Sequence, residues 1–111
     1  MGFFMITVLL LGAIVSVGSI ERGDEIVRAQ LELLKLSYFC DDPLYRTKRG
    51  SVLRTVSQLE GVTTFSEQSV MYLDGALKNK TVKLDKPINR GDCIFLLSEA
   101  QAKVDRLLPA N

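Results

Sequence analysis

No charged side chain occurs between Met1 and Ile20, and every Lys, Arg, Asp and Glu of this 111-residue chain lies beyond that point. Such an end prefers an apolar environment to water, which constrains the chain more than any other feature of the sequence. The most apolar part, Phe3 to Val17, would be about 22 Å long as a helix at ~1.5 Å per residue. A bilayer core takes ~20 residues, with a lower limit near 17. Adding Gly18, Ser19 and Ile20 brings the stretch into that range. Residues 1–20 therefore read as a membrane anchor, with Phe3, Phe4, Leu9, Leu10, Leu11, Ile14 and Val17 facing lipid, or as a signal segment cut near the small residues Ser16, Gly18 and Ser19. An ordinary buried helix is the third reading.

Orientation is argued by two features that disagree. Arg22, Arg28 and Lys35 follow the segment and no Lys or Arg precedes it, which by the positive-inside rule favours a cytoplasmic C-terminal part. Cys40 and Cys93 are the only cysteines, and an even pair in a small exported domain reads as one disulfide. Closing so long a loop would contribute ~4–5 kcal/mol in the chain-entropy account. Two free thiols in a reducing compartment are the alternative. The balance favours a single-pass membrane protein with residues 21–111 as one small extracytoplasmic domain, or else a secreted one.

The remaining residues, about ninety, suffice for one domain with a modest core. Val27, Leu31, Leu34 and Tyr38 recur at helical spacing within Glu21 to Phe39. Ile26, Leu33 and Leu36 widen that face, so this helix is expected to be buried on more than one side. Asp41-Asp42-Pro43 stops it. Ser51 to Leu59 reads as a second, short helix with Gly61 behind it. Val62 to Phe65 reads as a strand. Ser69 to Lys78 fits either a hairpin turning at Asp74-Gly75 or a helix capped by Ser66, and Gly75 favours the hairpin. Thr81 to Leu84 alternates like a strand, Asn89 to Asp92 is turn chemistry, and Cys93 to Leu97 is short and apolar enough for a buried strand. Ser98 and Gln101 form a capping box before a last helix closed by Pro109. The expected fold is α+β: the apolar N-terminal helix, then a small, mainly antiparallel sheet packed with two to three helices.

Catalytic groups are scarce. The chain has no His, which removes Ser-His-Asp and Cys-His pairs within one chain. Two distant cysteines and scattered carboxylates match no metal-ligand spacing, and no Gly-rich phosphate loop follows a strand. Acid–base work would have to fall to carboxylates such as Asp41, Asp42, Glu67 and Asp74. An enzyme is not expected, nor a cofactor, nor a small-molecule substrate.

Short motifs are present without being decisive. Arg22-Gly23-Asp24 and Arg90-Gly91-Asp92 resemble integrin-binding tripeptides. Arg46-Thr47-Lys48-Arg49 resembles a furin-type convertase site, and Asn79-Lys80-Thr81 fits an N-glycosylation acceptor. Basic residues cluster in two runs, Arg46, Lys48, Arg49 and Arg54, then Lys78, Lys80, Lys83, Lys86 and Arg90, although the net charge is only +1. If the runs share a face, it would suit an anionic partner such as lipid head groups or an acidic protein. The aromatic interleaving of single-strand nucleic-acid platforms is missing, so no specific nucleic-acid partner is expected.

Two local likenesses complete the reading. The uncharged start running into a long amphipathic helix resembles a type IV pilin or pseudopilin, with Gly2-Phe3 at the processing site and Thr7 where pilins usually carry Glu. That resemblance implies a filament subunit. Asp85 to Asp92, with Pro87-Ile88 and Gly91-Asp92, is similar to a turn in SAF-type pilus and flagellar assembly domains. The function expected from the residues is a non-enzymatic, membrane-anchored accessory or structural subunit of an envelope or membrane complex. It would touch membrane lipid and bind protein partners through its soluble domain. A secreted, disulfide-stabilised binding or inhibitor protein is the alternative.

Overall fold

The structure is a computed structural model that describes the backbone of residues 2–84 and 86–108, and side chains from residue 20 onward within those limits. Four α-helices account for its regular structure: α1 (Gly2–Phe39), α2 (Tyr45–Gln58), α3 (Glu67–Lys78) and α4 (Cys93–Leu107), with one turn of 3-10 helix, Arg90–Asp92, leading into α4. No strand occurs among the described residues, so the expected α+β fold is replaced by an all-helical one.

The reason lies in which side chains each segment buries. At Ser69 to Lys78, Val70, Asp74 and Leu77 are buried with Leu73 half-buried, a helical stripe that outweighs the cost of Gly75. Ser66 caps this helix by accepting from the Ser69 amide, while the Ser69 hydroxyl accepts from the Ser66 amide. In Cys93 to Leu97, Ile94 and Phe95 are exposed whereas Leu97 packs inward with Ala100 and Val104. That split follows a period of 3.6, so α4 begins at Cys93 and Ser98 lies inside it. Val62 to Phe65 and Thr81 to Leu84 are connections without regular structure.

Helix α1 is the spine. Val27, Leu31 and Leu34 face α2 and α3, forming the larger core with Val52, Val56 and Val70. Ala29 and Leu33 face the other way and meet Val104, Leu97 and Leu108 of the C-terminal segment. This double burial was expected from the breadth of the apolar face. Helices α2 and α4 flank α1 with no close backbone approach to one another among the described residues.

Near the other end, Asp24 is buried in a threonine cradle. The Thr63 hydroxyl (2.6 Å), the Thr64 amide (2.7 Å) and the Thr64 hydroxyl (2.7 Å) all donate to its carboxylate. The Thr63 bond in particular, with the two from Thr64, holds its pKa below the usual carboxylate value against the opposing effect of burial. Gly23 lets the 62–64 connection pass this closely, since a Cβ there would lie 1.9 Å from the Val62 carbonyl oxygen. Arg22-Gly23-Asp24 is therefore a packing element, closed to any receptor.

The membrane reading is corrected. Among the described residues no helix is long and apolar enough to cross a membrane. The part of α1 whose side chains are described carries Glu21, Arg22, Asp24, Glu25, Arg28, Glu32 and Lys35 and is packed on two sides by protein. The side chains of Phe3, Phe4, Leu9, Leu10, Leu11, Ile14 and Val17 lie outside the described residues. Helix α1 runs unbroken across Ile20 and Glu21 and through Gly23.

Candidate functional site

Both α1 and α3 end in the same way. After α1, the Asp42 amide donates to the Ser37 carbonyl and the Asp41 amide to that of Tyr38. After α3, the Thr81 amide donates to Ala76 and the Lys80 amide to Leu77. These are Schellman closures, whose left-handed position is normally glycine. Here Asp41 (φ 52°) and Lys80 (φ 58°) occupy it, the two non-glycine residues with positive φ among those described. The left-handed backbone costs an L-residue ~1 kcal/mol or more.

The two closures face one another across an open groove of about 760 Å³. Tyr38, Phe39, Leu77 and Val82 supply its apolar lining, and Asp41, Asp42, Lys80 and Lys83 its charges. A disulfide between Cys40 and Cys93 (Cα–Cα 5.8 Å) joins the end of α1 to the start of α4. The expected pairing of the two cysteines is thereby shown. Past Cys93 in sequence, Ile94 and Phe95 stand 81% and 65% exposed, and Phe39, just before Cys40, is 38% exposed.

The charge balance of the groove follows from its pairings. Asp42 is fixed by the Ser37 hydroxyl (2.9 Å), the Leu44 amide (2.9 Å) and the Lys48 ammonium. Burial would raise its pKa, but the Lys48 bond and the two neutral donors hold it below the ordinary value. Asp41 meets Arg90 at 3.4 Å, both well exposed. Lys80 and Lys83 have no acidic partner among the described residues, whereas Asp41 and Asp42 are each engaged by a basic side chain from outside the groove lining.

The predicted basic face divides in the folded chain. Arg49 and Lys78 both turn to Asp74, at 3.0 and 2.9 Å, where the Tyr45 hydroxyl also donates (2.6 Å). Burial works against ionisation of Asp74, yet the bonds from Tyr45, Lys78 and Arg49 bring its pKa down to about 2. Burial, and then the bond to that carboxylate, push the Tyr45 phenol well above its usual value. Arg54 bonds to Ser51 and stays exposed, as does Arg46. Lys86 is exposed on the connection before the 3-10 turn. Of the nine predicted residues, Lys80 and Lys83 line the groove. The others are neutralised or dispersed.

The remaining motifs take different environments. Arg46 to Arg49 forms the first turn of α2, a helical geometry unlike the extended chain that proteases bind. Asn79 closes α3, and the Thr81 hydroxyl donates to the Ala76 carbonyl. Arg90-Gly91-Asp92 is a 3-10 turn capped by Asn89, whose side chain accepts from the Gly91 amide. The segment likened to an assembly-domain turn thus leads into a helix, and the sheet that a pilin would carry has no counterpart among the described residues. Among those residues no group of three His, Cys, Asp or Glu could hold a metal ion. No protein-family model, curated protein or solved structure matches the chain.

Proposed function

We propose that the chain is a non-enzymatic, disulfide-stabilised helical binding protein of an oxidising compartment, and that its partner, a protein, seats in the groove beside the Cys40–Cys93 bridge. The observation that carries this reading is the groove itself: an apolar lining that includes exposed Phe39, with two lysines that have no acidic partner among the described residues, beside a bridge whose other cysteine is followed by exposed Ile94 and Phe95. The disulfide supports export, since such bonds persist outside reducing compartments. The non-enzymatic part is supported by the chain's chemistry. It has no histidine, and Asp24, Asp42 and Asp74 are saturated with donors and held ionised, the opposite of a general acid poised near neutrality.

Site-directed photocrosslinking tests the location. A benzoylphenylalanine at Val82, in the groove, is expected to capture a discrete protein from the native surroundings of the chain, whereas one at Ser57 on α2 is not. Equal capture at both positions, or a capture at Val82 unaffected by Phe95→Asp beside the bridge, would remove the groove as the binding site.

A further inference from the structure

Asp41 and Lys80 occupy equivalent left-handed positions, yet their side chains differ in what they meet. Asp is among the residues that tolerate that conformation, and the Asp41 carboxylate is engaged by Arg90 at 3.4 Å. Lysine has no such compensation, and glycine would serve the α3 closure better. Nor does the Lys80 side chain repair anything in the fold. Among the described residues its ammonium makes no hydrogen bond or ion pair, and it is exposed on the groove. A residue that the backbone disfavours and the packing does not use remains to be explained by what it meets from outside.

We propose that Lys80 is the specificity-determining residue of the groove, pairing with a carboxylate on an acidic segment of the partner whose apolar side chain rests among Phe39, Leu77 and Val82. The proposal rests on the reading of the groove as the partner site, and it adds the chemistry of the occupant. Charge complementarity selects that chemistry: Asp41 and Asp42 are already paired to Arg90 and Lys48, while Lys80 and Lys83 are left to face the ligand. A partner bearing Lys or Arg beside Lys80 and Lys83 would meet two like charges. Ammonium on carboxylate is a charge-assisted hydrogen bond, stronger than its neutral counterparts, and the apolar lining supplies the rest of the contact.

The test uses the full oxidised chain and a fluorescein-labelled octapeptide alternating Glu with Phe and Leu, read by fluorescence anisotropy. A twin peptide carries Gln in place of Glu. The Glu peptide is expected to bind and the Gln peptide to bind about tenfold more weakly, the loss typical of one charge-assisted contact. Lys80→Gly is expected to keep or raise the urea midpoint while reducing Glu-peptide affinity by a similar factor. Lys80→Arg should restore binding. A urea midpoint at or above the parent's separates weaker binding from misfolding.

Other outcomes overturn the proposal at distinguishable levels. If both peptides bind equally, and Val82→Asp abolishes both, the groove reading stands and the acidic partner falls. If neither peptide binds, and sedimentation shows a dimer dispersed by Val82→Asp, the occupant is a second copy of this chain. If phosphatidylserine vesicles bind in place of the peptides, and Lys80→Gly removes that binding, the lysine reads lipid phosphate. If nothing binds and Val82→Asp changes nothing, both readings fall together.

Discussion

The close pass at Gly23 makes one substitution unusually informative. Gly→Ala in a helix interior ordinarily stabilises by ~1 kcal/mol through backbone entropy and helix propensity. At Gly23 the added methyl would sit 1.9 Å from the Val62 carbonyl oxygen and 3.0 Å from its carbon, backbone atoms that cannot rotate aside. Relief requires the 62–64 connection to retreat by more than 1 Å, well short as that contact is of the ~3.4 Å of normal packing. The bonds from Thr63 and Thr64 to Asp24, the very next residue, are only 2.6 to 2.7 Å long and would be stretched past hydrogen-bonding range. Each bond to a charged acceptor is worth ~1.5–3 kcal/mol, so losing even one outweighs the propensity gain. The net loss is expected at ~2–4 kcal/mol.

Gly75 and Gly50 provide the controls. A Cβ at Gly75 meets nothing within 4 Å, and one at Gly50 meets only the tip of Arg54 at 3.6 Å. Alanine at either position should stabilise by up to ~1 kcal/mol. Urea unfolding of the oxidised protein, followed by far-UV circular dichroism, reads all three. With an m-value of ~1.5 kcal/mol/M for a domain this size, Gly23→Ala should lower the midpoint by ~2 M and the controls should raise it. A Gly23→Ala midpoint at or above the parent's would refute the reasoning, as would a common direction of shift for all three variants.

Three further outcomes are expected. The folded-state pKa values of Asp24, Asp42 and Asp74 lie below the ordinary 3.8, at about 2 for Asp74. The stability they contribute is therefore fully present above about pH 4 and is lost as the pH falls through their folded values. Urea midpoints measured from pH 7 to pH 2 should be flat and then fall, less steeply in Asp74→Asn, and a flat profile down to pH 2 would contradict the pairing. Reducing Cys40–Cys93, which closes a separation of 53 residues, should cost up to ~4 kcal/mol in the chain-entropy account. Unfolding with and without dithiothreitol measures it, and an unchanged midpoint would show that the bridge does not constrain the unfolded chain. Gln30 is buried, and its Oε1 has no donor among the described residues, so Gln30→Leu should raise thermal stability, by ~1 kcal/mol, whereas a loss would reveal a partner for that oxygen.

What could be read from the sequence was local and periodic. The spacing of Val27, Leu31 and Leu34, widened by Leu33, foretold a helix buried on two sides, and two cysteines in about ninety residues foretold the bridge. The C-terminal run misled because five consecutive apolar residues fit a strand as well as a helix. Only the exposure of Ile94 and Phe95 beside inward Leu97 decides between them. Asp74-Gly75 misled for a different reason. A buried Asp is affordable in a helix once Tyr45 and Arg49 reach it from 29 and 25 residues away, and no local window contains those partners. The groove was hidden likewise, since Lys80 and Lys83 stand out only after Asp42 and Asp74 have taken up Lys48, Arg49 and Lys78.

Because α1 carries a separate core on each side, the two sides need not come apart together. Among the described residues α4 packs on no α-helix but α1, through the cluster around Ala29, Leu33 and Val104, whereas α2 and α3 also brace each other, so α4 can open without disturbing the larger core. A helix that lets go would ordinarily diffuse away on its connection, yet its first residue is welded to the end of the spine. Opening therefore becomes a swing about a fixed pivot. The far end around Leu107 lifts while Ile94 and Phe95 stay beside the bridge, at the effective concentration of a short tether. In hydrogen exchange this predicts protection that falls along α4 away from the bridge. The molecule can loosen at its C-terminal edge without dispersing the surface through which it would hold a partner.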